Sequence, residues 1–97
     1  MAKNTNAKKA DYKEQNATED IVVRVYPGRG DRLSASLTIE VAVGHFVIYG
    51  QAVNGKKGWF FSYPSYKGKD REYHNVAYAL EKEVNDSIAE ALSDMLD

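Results

Sequence analysis

Leu33-Ser34-Ala35-Ser36-Leu37-Thr38-Ile39-Glu40-Val41-Ala42-Val43, then Gly44-His45, then Phe46-Val47-Ile48-Tyr49, has the cleanest periodicity in the chain. The odd positions from 33 to 43 are all apolar, and the even ones are Ser34, Ser36, Thr38, Glu40 and Ala42. Strict alternation gives a strand one dry face and one wet face, whereas the same residues wound into a helix would spread around its whole circumference. Gly44-His45 supplies a turn, and the aromatic and β-branched run after it returns as a second strand, so the reading is a β-hairpin with Leu33 to Val43 facing the core.

Working outward from this hairpin, Asp20-Ile21-Val22-Val23-Arg24-Val25-Tyr26 reads as a preceding strand, and Pro27-Gly28-Arg29-Gly30-Asp31 as the turn that breaks it. Arg29-Gly30-Asp31 is read as turn chemistry. After Tyr49, Gly50 marks a bulge and Gln51-Ala52-Val53 continues the strand. Asn54-Gly55-Lys56-Lys57-Gly58 is a turn carrying two lysines at its tip. Trp59-Phe60-Phe61-Ser62-Tyr63 is the next strand, with Trp59 and Phe61 on one face and Phe60 on the other, and Pro64 ends it. Ser65 to Arg71 reads as a polar loop and Glu72 to Tyr78 as a short final strand. Val84, Ile88, Ala91, Leu92, Met95 and Leu96 then recur at spacings of three and four, which predicts an amphipathic helix with an acidic outer face. The fold class is therefore α+β: an antiparallel sheet of four to five strands followed by one C-terminal helix.

Residues 1 to 18 are polar and aperiodic, too poor in apolar side chains to offset the entropy of ordering them, and are expected to form a disordered arm ahead of a single domain over 19–97. A chain of 97 residues buries only about 60% of its unfolded surface, so association would add stability and a homodimer is expected. The absence of cysteine excludes disulfides, thiolate metal sites and cysteine nucleophiles. No apolar run approaches the ~20 residues of a membrane span, and Met1-Ala2-Lys3-Asn4-Thr5-Asn6 has no apolar signal core, so a cytoplasmic protein is expected.

No stretch carries a catalytic signature. His45 and His74 are the only histidines and neither has a patterned ligand set nearby, so no metal or cofactor is expected. The carboxylates cluster on the helix as a solvated face, the glycines sit singly in turns, and the chain is not read as an enzyme. Charge is unevenly spread. Glu81 to Asp97 sets Lys82 alone against Glu81, Glu83, Asp86, Glu90, Asp94 and Asp97, whereas Lys56, Lys57, Lys67, Lys69 and Arg71 oppose only Asp70 between residues 56 and 71. Cations interleaved with Trp59, Tyr63 and Tyr66 suit phosphates and unpaired bases, so Lys56, Lys57, Lys67, Lys69, Arg71 and Tyr66 are the candidate nucleic-acid-binding residues.

Several short runs, in order, resemble the SpoVG (stage V sporulation protein G) family. They are Ala35-Ser36-Leu37-Thr38-Ile39, Phe46-Val47-Ile48, Gly58-Trp59-Phe60-Phe61-Ser62-Tyr63-Pro64-Ser65, and Asp70-Arg71-Glu72-Tyr73-His74-Asn75-Val76-Ala77-Tyr78, where the family usually reads D-G-E-F-R-D-I-A-H-P-I. The resemblance spans about Asp20 to Leu92 and implies a small dimeric bacterial regulator, often present in phage genomes, that binds DNA and RNA. Where the family has a Lys-Arg pair after Pro-Ser, this chain has Tyr66-Lys67, with Lys69 and Arg71 close by; the arginine of F-R-D is His74, its aspartate Asn75, and the following His-Pro is Tyr78-Ala79. The alternative function, of a different class, is a phage- or bacterium-encoded module that binds a host protein through its acidic helix or a sheet face.

Overall fold

The computed structural model describes residues 12–75, 77–79 and 81–97. Strands β1 (Lys13–Thr18), β2 (Ile21–Val25), β3 (Arg32–Val41), β4 (Gly44–Gly55) and β5 (Gly58–Ser62) form one antiparallel sheet in sequence order. Strands β6 (Ser65–Lys67) and β7 (Tyr73–Asn75) pair with each other in a separate hairpin, and helix α1 (Lys82–Leu96) closes the chain. The α+β expectation holds. The helix packs against β5, β1 and β2, bridging the two edges of the curled sheet.

The alternation of residues 33 to 39 does what a half-buried strand requires. Ala35 and Leu37 are buried and Leu33 and Ile39 pack against the core, in register with Val25 and Val23 of β2 and with Gly50 and Ile48 of β4. Trp59 and Phe61 fill the same side while Phe60 lies 46% exposed on the other, as three consecutive strand aromatics must. Ile88, Ala91 and Leu92, recurring on one stripe of the helix, close the core from above.

Four expectations need correction. The turn of the central hairpin is Ala42-Val43, not Gly44-His45: Val41 pairs with Gly44, whose φ of 146° favours glycine, and Val41 and Val43 project from the hairpin end at 39% and 89% exposure, not into the core. Gly50 is not a bulge. It pairs in register with Ala35, and a Cβ there would lie 2.4 Å from the Ser62 carbonyl oxygen and 2.7 Å from Phe61 Cζ, so glycine is needed for close approach of β5. Residues 65–67, read as loop, pair with 73–75, and this hairpin stands apart from the main sheet, which the final strand was expected to join.

The fifth strand comes instead from the supposed arm. Lys13 to Thr18 pairs with β2, Glu14 accepts a 2.9 Å ion pair from Arg24, and Ala17 packs on the core. Lys13 Nζ donates to the Met95 carbonyl and Gln15 to Asp94, so β1 satisfies the C-terminal end of a helix that has no basic residue in its own last turn. Residues 1–11 of the expected arm lie outside the described residues.

Strand β5 flanks β4 only from Gln51 to Gly55, so Gly44 to Gly50 has β3 on one side and no described strand on the other.

Candidate nucleic-acid interface

The six candidate residues fall on two turns. Lys56 and Lys57 form the two-residue connection between Gly55 and Gly58, where Gly58 takes a φ of 113°. Both lysines are exposed, but a shallow groove runs from them past Trp59 and Phe60 to Asp86 and Ala89 of the helix, so a carboxylate lies beside this pair. Asp86 itself holds Lys82 at 2.7 Å.

Lys67, Lys69, Arg71 and Tyr66 all sit on the β6–β7 hairpin, and all are exposed. This hairpin leaves from the end of β5, whereas Lys56-Lys57 precedes its start, so the strand separates the two groups along the chain. Lys67 and Tyr73 are register partners, and the lysine ammonium lies 6.0 Å from the centre of the tyrosine ring. Tyr66 and His74, the next pair, set their rings 5.5 Å apart.

The hairpin's turn is built locally. Gly68 donates to the Glu72 carbonyl at 2.8 Å and Arg71 to the Gly68 carbonyl at 3.0 Å. The Asp70 carboxylate accepts from the Glu72 amide at 3.0 Å and lies 3.1 Å from His74 Nε2. Those contacts, the Glu72 amide foremost, hold the Asp70 carboxyl below the usual carboxylate range. A Cβ at residue 68 would meet Asp70 Oδ1 at 2.9 Å, so Gly68 is what lets the carboxylate fold over the turn. Arg71 is the one non-glycine among the described residues with positive φ, at 68°.

Two cations on the open face of the sheet escaped sequence reasoning, and the structure explains why they are poor candidates. Arg24 is held by Glu14, by Thr38 at 2.7 Å, and by the Tyr12 ring at 5.7 Å. Burial would lower its affinity for the proton, but Glu14, with help from Tyr12, outweighs that and the guanidinium stays charged and committed. Arg32 donates to Gln51 at 2.8 Å. Their strand positions, Arg24 opposite Glu14 and Arg32 diagonal to Gln51 across the ladder, give the signal only once the register is known.

His45 is exposed beside the central turn and His74 is paired as described, and among the described residues no group of three or more His, Cys, Asp or Glu could hold a metal ion. No helix among them is long and apolar enough to cross a membrane. Tyr63, which ends the fifth strand's aromatic run, donates to Asn85 Oδ1 at 2.9 Å and ties the hairpin's root to the first turns of the helix. Burial pushes its phenol up, with a hydrogen bond from the Ala79 backbone opposing.

No curated protein and no solved structure matches the chain. The SpoVG family model matches residues 17–96, from the end of β1 through the last turn of the helix. That match covers the sheet, the basic hairpin and the helix together, and the chain belongs to the SpoVG family.

Proposed function

We propose that this protein is a small dimeric regulator that binds DNA or RNA, and that its phosphate contacts are made by the β6–β7 hairpin. Arg71 is the observation that carries the reading. A left-handed backbone costs a non-glycine residue about 1–2 kcal/mol, and Arg71 takes that conformation at an exposed turn where the resemblance leads one to expect glycine. The arginine expected three residues later is His74, whose ring is occupied by Asp70 and Tyr66. Charge absent from the strand is thus present at the tip, at a conformational cost that no contact of the Arg71 guanidinium with the described residues offsets.

Lys67, Lys69 and Arg71 extend from one short arm with two acids, Asp70, which is committed to its own turn, and Glu72. Lysine acts as a point charge toward phosphate, and exposed Tyr66 and Tyr73 offer ring faces to unpaired bases, so binding is salt-dependent and weakly sequence-selective. Lys56 and Lys57, beside Asp86, contribute less.

Fluorescence anisotropy with labelled single-stranded and duplex oligonucleotides, measured across salt concentrations, tests this. Replacing Lys67, Lys69 and Arg71 together by alanine should weaken binding to every sequence and flatten the salt dependence by up to about three phosphate equivalents. An unchanged affinity and slope in the triple variant would remove the hairpin as the site. Absence of binding by the parent at low salt would reject the nucleic-acid reading, and a protein partner for the acidic helix or sheet face would take its place.

A further inference from the structure

We propose that the pocket between β5, the end of β7 and the first turns of α1 takes one unpaired base of a nucleic-acid strand whose phosphates the β6–β7 hairpin holds. The proposal rests on the nucleic-acid reading above and adds to it a second site, one that touches the base and not the backbone. Strand β5 is the outermost strand of the main sheet, and a concavity of about 350 Å³ lies beside it. Phe61 and Ile88, both buried, form its floor. Phe60, 46% exposed, and Tyr78, 61% exposed, stand at its rim.

The lining has the chemistry of a base site. A base presents an apolar π-face and a polar edge; the rings of Phe60 and Tyr78 offer stacking surface to the first, and the side-chain amides of Asn75 and Asn85 offer donors and acceptors to the second. Asn85 is held in place for that role. Its Oδ1 accepts the Tyr63 hydroxyl at 2.9 Å, which fixes the amide and leaves its two N–H donors for an acceptor on the base edge. No residue of the lining is charged, so a bare phosphate finds no counter-ion there. A purely aliphatic ligand would strip water from the amides and give them no partner.

The hairpin supplies the adjoining cations. Asn75, the last residue of β7, pairs with Ser65, and Lys67 pairs with Tyr73 two residues farther along the same ladder. At the rise of a strand those two rungs are about 7 Å apart. A strand with one base in the pocket therefore carries its neighbouring phosphates toward Lys67 and the tip that bears Lys69 and Arg71. A duplex, whose bases are paired and stacked, can use the hairpin but not the pocket unless a base leaves the stack.

Anisotropy of the full chain with labelled probes of equal length tests the assignment: a homopolymeric single strand, the same strand without its bases, and a duplex. Tyr78→Ala should weaken binding of the intact single strand by about 5- to 100-fold, the worth of one stacked base. Its affinity for the other two probes and its salt slope should stay those of the parent, and Tyr78→Phe, which keeps the ring, should restore the loss. NMR on the parent needs no variant: the Asn85 side-chain N–H resonances should shift with the intact strand and not with the abasic one. A nucleoside 5′-monophosphate should compete only at millimolar concentration; competition at micromolar concentration would replace the strand by a free nucleotide and overturn the assignment. Tyr78→Ala binding every probe as the parent does, or Asn85 resonances indifferent to the bases, overturns the pocket while leaving a salt-dependent hairpin standing. A parent that binds no probe at low salt overturns both the nucleic-acid reading and this one.

Discussion

Replacing Gly50 by alanine probes the closeness of β4 and β5 directly. The backbone at residue 50 is not in the left-handed region, so alanine meets no conformational penalty there and the cost is steric. The added carbon would sit 2.4 Å from the Ser62 carbonyl oxygen and 2.7 Å from Phe61 Cζ, about 1 Å inside ordinary contact, and the nearer obstacle is backbone that cannot rotate away. Relief requires β5 to swing outward, straining the Gln51–Ser62 pair and lifting Phe61 from a site where it is 7% exposed. Overpacking of this kind costs about 1–3 kcal/mol, and partial loss of a buried phenylalanine adds about 1.5 kcal/mol. Against a total stability of about 5–15 kcal/mol for a chain this size, the midpoint of thermal unfolding should fall by at least about 10 °C. Circular dichroism gives the global transition, and Trp59 fluorescence reports on β5 itself. Gly55→Ala is the matched comparison, because its nearest obstacle is the Phe60 ring rim at 3.0 Å, which can turn aside. A Gly50→Ala midpoint within 3 °C of the parent, on an assumed error of about 1 °C per transition, would refute the close-approach argument.

Arg71→Gly should raise stability by about 0.5–1 kcal/mol as the left-handed strain is released against a larger unfolded-state entropy, while lowering oligonucleotide affinity; denaturant unfolding and anisotropy on one sample read the two opposite signs. Asp70 has a carboxyl held below its unfolded value, so its contribution to the turn is complete above the ordinary carboxylate range and is lost as pH falls through the lowered folded pKa; the Glu72 amide, followed by NMR, should keep its hydrogen-bonded shift until that acidic window is entered. Deleting residues 1–18 removes β1, its ladder with β2 and the Lys13 contact to the helix end, and should cost on the order of 3 kcal/mol or more by chemical denaturation, where a dispensable arm would cost nothing.

How much could be read from the residues differs between elements for physical reasons. The central hairpin, the alternating aromatics of β5 and the stripe of α1 were legible because burial on one face imprints a period, and burial is what holds them. Strand β1, Lys-Glu-Gln-Asn-Ala-Thr, carries no such imprint. It is held by the ladder to β2, by the Arg24–Glu14 pair and by capping of a helix 79 to 82 residues away in sequence, contacts whose partners no local window contains. The β6–β7 hairpin was misread for a related reason: every one of its paired residues is exposed, so it has no dry face to announce it. Its basic side chains lie close together in the sequence and need no fold to be noticed, but Arg71's backbone and Asp70's commitment to its own turn are properties of the folded turn.

The acidic helix, which from sequence reads as a solvated face or as the surface of a protein-binding module, takes a narrower meaning in the folded chain. Part of its charge is used internally: Asp86 holds Lys82 and Asp94 accepts from Gln15. The helix also faces β5, β1 and β2, and Asp86 lines the groove it shares with the Lys56-Lys57 turn, whereas the acids on the hairpin that bears Lys67, Lys69 and Arg71 are Asp70 and Glu72. At ordinary salt, charges more than about 8–10 Å apart are largely screened. On the proposed reading, the helix should therefore depress phosphate affinity mainly at the Lys56-Lys57 turn, whose groove it shares. Neutralising that local charge with Asp86→Asn should strengthen any contribution of Lys56 and Lys57 to oligonucleotide binding at low salt and leave the hairpin's contribution unchanged, a difference that a double variant with the hairpin triple alanine isolates. Equal gains in the presence and absence of the hairpin cations would place the effect at the lysine turn; a gain that vanishes with them would mean that helix and hairpin share one field.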